Sequence, residues 1–373
     1  MLIGIDASRA TAVRATGTEY YSRHLIGALL ALAPQHRFRL YFNQPPSQTL
    51  FPTDAGEHRI IPFRRLWTHV RLAWEVTRYP PDVLFVPAHV LPMFHPRRSV
   101  VTVHDLGYRD VRDAHPTAQW LHLEASTRWN ARMSARVFAD SQATKEDLIR
   151  YYGTPADKIT VAYPGVDPSL RRVDDVEHIQ AVKAQYGVEG EYLLYLGTLQ
   201  PRKNLARLIE AFGKSQARGH TLVIAGKKGW LYDDLFSQVK RLNLERRVVF
   251  SGYVSDADRA ALLSGATALV FPSLYEGFGF PAVEAMACGT PVICSNTSSL
   301  PEAVGDAAML IDPLDGEAIA AAIDRIIADA GLRGQLVGRG VVQASRFTWR
   351  SCARTVLGVL EEVAASGEAI GTS

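Results

Sequence analysis

Two carboxylates eight residues apart, Glu276 and Glu284, lie in the segment Phe271-Pro-Ser-Leu-Tyr-Glu-Gly-Phe-Gly-Phe-Pro-Ala-Val-Glu-Ala-Met-Ala-Cys-Gly-Thr-Pro291. An apolar run, then Glu276, then Gly277-Phe278-Gly279, then Pro281 reads as strand, loop and helix start, because a proline fits the first helical turn. That pattern puts one acid on the loop and the other one turn into the helix. Both can then face one cleft and accept hydrogen bonds from vicinal hydroxyls, the chemistry that grips a sugar or a ribose. The turn glycines leave backbone N–H groups at the helix start open to an anion. A plainer reading stands beside this one: one acid favouring the helix dipole and the other simply exposed.

A second pattern is cationic. Arg202 and Lys203 follow Leu196-Gly197-Thr-Leu-Gln-Pro201 and precede an amphipathic run from Asn204 to Phe212. Cations at a helix N-terminus oppose its dipole, a cost that an intervening anion would offset. Arg offers a planar fork and Lys a compact charge, a suitable pair for a diphosphate; alone, they would also serve as an exposed basic turn. Nearer the N-terminus, the run ending in His104-Asp105 offers an imidazole at a strand end, able to bond a substrate hydroxyl. In the loop before Glu19, Thr16-Gly17-Thr18 carries a glycine that permits close approach of a ligand. The GxGxxG spacing of a dinucleotide site is missing, as are HExxH, GxSxG and P-loop patterns. Asp256-Ala-Asp258 has the form of a metal-binding DxD, but Ser255 before it makes the pair a helix cap and first turn.

These residues need elements to hold them. Short aliphatic runs at 2–6, 38–42, 83–86, 100–104, 137–140 and 159–162 alternate with helical patterns at 19–32 and 118–134. The rhythm restarts with strands at 192–197, 221–225, 248–251, 268–271, 291–295 and 308–311, and helices at 204–214, 232–242, 257–264, 281–287 and 316–329. Such alternation predicts an α/β architecture of two parallel-sheet domains with a cleft between them and ligands at the carboxyl ends of strands. The turn-rich Pro164-Gly165-Val166-Asp167-Pro168 and the polar stretch after it put the boundary near 165–190.

Composition agrees. The chain has 373 residues, 47% apolar and 21% charged, which excludes a fibrous or largely disordered protein. No apolar run is long enough to span a membrane, and the first residues lack the pattern of a signal peptide. Three cysteines with no CxxC pair fit a reducing compartment. Residues 1–170 hold 20 Lys/Arg against 15 Asp/Glu, a net of +5, whereas the remainder is net −2. That excess is too small to imply nucleic acid and is compatible with attraction to an anionic membrane. Residues 63–79, FRRLWTHVRLAWEVTRY, read as a packed helix or as a membrane- or acceptor-facing surface.

Over nearly its whole length the chain resembles the group 1 (family 4) glycosyltransferases of the GT-B fold. The resemblance is carried by EGFGFPAVEAMACGTPV (276–292), GTLQPRKNL (197–205), VIAGKKGW (223–230), VFSGYVSDADRAALLSGA (249–266), ADSQATKEDL (139–148) and YPGVD (163–167). The PRKN and GKKGW forms look most like bacterial mannosyltransferase-type members acting on polysaccharides or lipid-linked glycans. The resemblance implies two Rossmann-like domains facing a cleft: an acceptor-side domain over 1–168, a nucleotide-sugar domain over 172–349, and a helix at 350–366 packing back on the first.

It also implies roles. Glu276 would contact donor-sugar hydroxyls and Glu284 the ribose. Gly277, Phe278 and Gly279 would meet diphosphate or sugar, and Gly252, Tyr253 and Val254 the base. His104 would lie near the transferred sugar, and Gly17 near the diphosphate and acceptor. Where the family often carries an Arg after the strand-end glycine, this chain has Thr198; Lys203 occupies the family's Lys position, and Arg202 is the candidate for the missing charge. The implied reaction is transfer of a hexosyl group, mannosyl from GDP-mannose, to a hydroxyl of a glycan or lipid-linked acceptor in cell-surface polysaccharide synthesis. Retention of configuration and no metal or other cofactor follow from the same resemblance. It implies a cytoplasmic enzyme, peripheral at the inner membrane face. The alternatives are a UDP- or ADP-sugar-dependent glucosyltransferase of this fold and a non-catalytic sugar-nucleotide binder.

Overall fold

Fully buried strands cannot alternate polar and apolar residues, and Val83–Val86 and Ser99–Val103 are buried at every position. They lie inside a parallel sheet. In the computed structural model, which describes residues 1–12, 17–47, 50–51, 56–63, 66–88, 90–112, 116–227, 229 and 232–366, two such sheets are formed. The first contains β1 (Leu2–Asp6), β2 (Arg37–Phe42), β3 (Glu57–Ile60), β4 (Val83–Val86), β5 (Ser99–Val103), β6 (Arg136–Ala139) and β7 (Ile159–Val161), in the order β3-β2-β1-β4-β5-β6-β7. The second contains β8 (Glu191–Leu196), β9 (His220–Ala225), β10 (Val248–Gly252), β11 (Ala268–Phe271), β12 (Val292–Ser295) and β13 (Met309–Ile311), in the order β10-β9-β8-β11-β12-β13. Both follow the doubly wound 3-2-1-4-5-6 pattern. In each, the strand order reverses beside the first strand, between β1 and β4 and between β8 and β11, where ligands of such sheets bind.

The chain forms two compact units, one of Met1–Leu106, His115–Gly165 and Phe347–Ser373, the other of Gly107–Ala114 and Val166–Arg346. The first is discontinuous. Its last helix, Trp349–Ala365, lies along the helix Gly17–Leu32 and buries Trp349, Cys352, Val356, Leu360 and Val363. Trp349 stacks on His24 at 5.4 Å and meets Tyr21 edge-on at 5.8 Å. The chain reaches this helix through a tight passage, where a Cβ at Gly165 would stand 2.1 Å from the Trp349 backbone nitrogen.

Several elements depart from the sequence reading, among them the helices Leu300–Val304 and Ala330–Ala344, which it does not mark. β3 (EHRI) went unmarked because it is a charged edge strand; Arg39 Nε donates to Glu57 Oε2 at 2.8 Å across its register. The helix Val176–Gln185, capped by the Asp175 carboxylate, lies within the stretch read as a polar boundary. In residues 63–79, Arg64 and Arg65 fall outside the described residues, and Thr68–Leu72 is a π-turn leading into the helix Ala73–Arg78. That segment is double-sided. Trp67, Leu72 and Val76 enter the core, whereas Leu66, Val70 and Trp74 form an exposed stripe. The Arg71 and Arg78 guanidinium groups lie over the rings of Trp74 and Tyr79.

Candidate functional site

The second unit gathers charge at its strand reversal. After β8 the chain turns through Pro201–Lys203 and enters the helix Leu205–Lys214 by way of Asn204, at φ +60°. The Asn204 amide donates to the carbonyls of Pro272 (3.1 Å) and Pro313 (2.7 Å), joining the end of β8 to those of β11 and β13. The Leu274 N–H donates to the Arg202 carbonyl at 2.8 Å. Thus fastened, the loops bring Lys203 Nζ onto Glu276 Oε1, with Arg202 3.2 Å from the other carboxylate oxygen and 2.6 Å from the Tyr275 carbonyl. Lys203 also lies over the Phe271 ring at 5.0 Å.

The side chains of Lys203 and Glu276 are each only 8% exposed. Burial alone would push the Glu276 carboxyl up, but Lys203 and then Arg202 outweigh it and hold it below the usual carboxylate range. The sequence reading makes both cations a suitable pair for a diphosphate. In the structure both contact Glu276, since a charge so deep needs a partner. The loop after β12 fixes the backbone of that acid: the Glu276 N–H donates to Ser298 Oγ and the Ser299 hydroxyl to the Glu276 carbonyl, each at 2.9 Å.

The turn following Glu276 requires glycine. Gly279 has φ +97°, and a Cβ there would lie 2.5 Å from Leu300 Cδ2. Phe278 is buried and meets Phe280 edge-on. The helix Phe280–Ala287 follows with Pro281 in its first turn and Glu284 one turn in. Glu284 does not share the cations of Glu276; Arg259 NH1 lies 3.4 Å from its Oε1. Burial pushes the Glu284 carboxyl above its ordinary range; Arg259 pulls it back, and Asp167 and Asp256 add to the rise.

Gly252, Tyr253 and Val254 lie at the end of β10, the edge strand two places from β8. The Gly252 carbonyl accepts from the Gly226 N–H at 2.7 Å, Lys227 Nζ lies 5.4 Å from the Tyr253 ring centroid, and Val254 is buried. A Cβ at Gly226 would stand 1.9 Å from the Gly197 carbonyl oxygen, so the β8 and β9 ends converge just before Thr198. Lys228 and Trp230 lie outside the described residues. The DxD-like acids are engaged locally: Ser255 Oγ accepts from the Asp258 N–H, the Asp258 carboxylate accepts from Tyr186, and Asp256 pairs with Arg259. Among the described residues, no group of three or more His, Cys, Asp or Glu side chains could hold a metal ion.

In the first unit, His104 follows β5, and its Nδ1 lies 2.7 Å from Asp140 Oδ2 at the end of β6. Asp140 carboxylate contact requires Nδ1 to carry the proton. Tyr21 meets the imidazole edge-on at 4.8 Å. Burial pulls the His104 pKa down, but Asp140 more than restores it, and the net shift is upward. Gly17 begins its helix exposed, while Thr16 lies outside the described residues.

Sequence reasoning missed Asp140, Arg259, Asn204, Ser298 and Ser299. Asp140 ends a strand and is followed by the cap Ser141, a visible signal, but its 36-residue separation from His104 leaves no local spacing to read. Asn204 stood within a motif quoted for its cations. The serines belong to the polar run Asn296-Thr-Ser-Ser299 directly after β12.

Comparison with known proteins identifies the family. Residues 179–340 match the family described as glycosyl transferases group 1, and residues 16–170 match glycosyltransferase family 4. The chain belongs to this family and is a glycosyltransferase of the GT-B fold. It is 34% identical over 359 residues to the O-antigen chain mannosyltransferase B of Escherichia coli, covering 90% of this chain and 93% of that one. Among solved structures it is similar to a sucrose-phosphate synthase from Thermosynechococcus elongatus (TM-score 0.78, 23% identity, covering 98% of this chain and 99% of that one). It is also similar to Anabaena Alr3699/HepE in complex with UDP and glucose (TM-score 0.73, 21% identity, covering 96% and 99%).

Two outcomes follow. Lys203→Met or Glu276→Gln alone should destabilise the fold by about 3–5 kcal/mol, because each leaves a buried charge or carboxamide without its partner, whereas the double variant should recover much of that loss. Urea unfolding of the four proteins checks this. In Asp140→Asn, burial of His104 loses its main opponent, so the imidazole pKa should fall below the ordinary histidine value. The stabilisation from the native pair is complete below about pH 6.5 and is lost as pH rises through the elevated folded value. Titration of the His104 ring protons by NMR reads the change.

Proposed function

We propose that this enzyme transfers a mannosyl group from GDP-mannose to a hydroxyl of a glycan or lipid-linked acceptor during cell-surface polysaccharide synthesis, with retention at the anomeric carbon. The observation that carries the reading is the buried Glu276 held by Lys203 and Arg202 at the β8/β11 reversal. A carboxylate so held is ionised and aimed, suited to accept from sugar hydroxyls. The mannosyl assignment rests on the similarity to an O-antigen chain mannosyltransferase.

In the proposed step the acceptor oxygen bonds to the anomeric carbon on the face from which the nucleoside diphosphate departs. The bond from that carbon to the β-phosphate oxygen breaks, and the departing oxygen takes the acceptor proton. The residues' task is electrostatic: Lys203, Arg202 and the N–H groups around Phe278 and Gly279 stabilise charge on the diphosphate. Arg202 stands in for the cation that Thr198 does not supply. In the first unit, the His104–Asp140 pair addresses a substrate hydroxyl.

A thermal-shift panel tests the donor. GDP-mannose should raise the melting temperature more than UDP- or ADP-sugars at equal concentration, since binding to the native state stabilises by mass action. Glu276→Ala should reduce kcat/KM by about 10–150-fold or more. A preference for UDP-glucose would replace the donor assignment, and near-wild-type turnover of Glu276→Ala would remove that residue from the site.

The enzyme works at an anionic membrane surface. Among the described residues no helix is long and apolar enough to cross a membrane, but the exposed Leu66, Val70 and Trp74 with Arg71 and Arg78 pair apolar surface with positive charge. The wild type should sediment with phosphatidylglycerol-containing vesicles and not with pure phosphatidylcholine, losing binding in Trp74→Ser/Arg71→Glu. Equal binding to both vesicle types, or to neither, refutes the surface.

A further inference from the structure

Arg259 stands in the first turn of the helix Asp256–Ser264, where a cation opposes the helix dipole. Its side chain is 14% exposed and does not extend into solvent. One guanidinium nitrogen meets Asp256, and another lies 3.4 Å from Glu284 Oε1 on the helix Phe280–Ala287. The same connection begins with Gly252, Tyr253 and Val254 at the end of β10. It therefore links the strand end assigned to the base with the acid assigned to the ribose.

We infer that Arg259 is a positioning residue for the donor nucleotide: its guanidinium, bridging Asp256 and Glu284, aims the buried carboxylate so that it can accept both hydroxyls of the ribose. The inference rests on the donor role of Glu284 and adds a residue to it. Glu284 is only 6% exposed on its side chain. The charged and titratable groups about it are Arg259 and Asp256 of the neighbouring helix, Asp167 of the segment after Gly165, and Cys288 at the end of its own helix. Apart from Arg259 these are acidic or neutral at pH 7. Without the guanidinium, burial and two acids would favour the protonated carboxyl, which can accept fewer hydrogen bonds and donates where the ribose also donates. Asp256 completes the arrangement by gripping the other side of the fork, so that Arg259 reaches Glu284 from one direction. A lysine, with one point of charge, could serve Glu284 or Asp256 but would lose the fork.

Titration calorimetry with GDP on the full chain tests the inference, using wild type, Arg259→Leu, Arg259→Lys, Glu284→Gln and the double variant Arg259→Leu/Glu284→Gln. Arg259→Leu should weaken GDP binding roughly tenfold at neutral pH and shift the acid loss of binding to higher pH, because the Glu284 carboxyl then protonates more readily. Arg259→Lys should restore part of both effects. Adding Arg259→Leu to Glu284→Gln should cost no further affinity, since the arginine acts through the acid. Unfolding curves for each variant separate these effects from loss of folded protein. If Glu284→Gln weakens binding and Arg259→Leu changes neither affinity nor the pH profile, Arg259 is not a positioning residue and the donor role of Glu284 stands. If Arg259→Leu weakens binding equally with and without the Glu284 carboxylate, the arginine does not act through Glu284. If Glu284→Gln leaves GDP binding intact, the ribose role itself fails.

Discussion

A carboxylate stays ionised inside a protein only where cations or hydrogen-bond donors replace the water it has lost. Glu276 sits in that position, and much of the second unit's loop structure serves to bring Lys203 and Arg202 to it. The left-handed turn at Asn204, its two amide bonds to the β11 and β13 ends, and the serine clamps after β12 all bear on one buried charge. The sheet reversal makes this economical in chain length, because β8 and β11 are neighbours although Lys203 and Glu276 lie 73 positions apart. The local acid–cation arrangement is also a store of binding capacity. Each partner is already desolvated, so a polar ligand that reached them would not have to strip water from these side chains.

Two further buried ionisable groups follow a similar rule. Glu284 has Arg259, and His104 has Asp140. Each couple spans the connections that follow two strands successive in sequence, β10 and β11 for one and β5 and β6 for the other. The glycines close the same geometry at the backbone. Gly226 and Gly197 let two strand ends converge, and Gly279 lets the chain turn under Leu300 into the following helix. A side chain at these positions would push apart the loops that hold the charges.

Much of this was legible in the sequence because local chemistry wrote it there. Strands β4 and β11 are unbroken apolar runs, β8 is one after Glu191, and β5 is mostly valine, and the Glu276–Glu284 segment announces its own loop, turn and proline-initiated helix. The Lys203 position was recognisable from its neighbours. What could not be read was partnership across distance. Nothing near Lys203 says that it faces Glu276, nothing near His104 points to Asp140, and Arg259 looks like any helix-surface arginine beside two aspartates. β3 was invisible for a different reason: an edge strand half open to water, with Arg39–Glu57 pairing across it, needs no apolar pattern.

The route of the chain through the first unit has a consequence for how it is made. Helix Gly17–Leu32 emerges early from the ribosome with Tyr21, Leu25 and Leu29 on the face that is eventually covered. Trp349 and Cys352, which help cover it, are translated only after the whole of Val166–Arg346. The second unit can therefore close on itself during synthesis while the first still waits for its final helix. During that interval the helix Gly17–Leu32 lacks part of its cover, so its full burial waits on the last helix to be made.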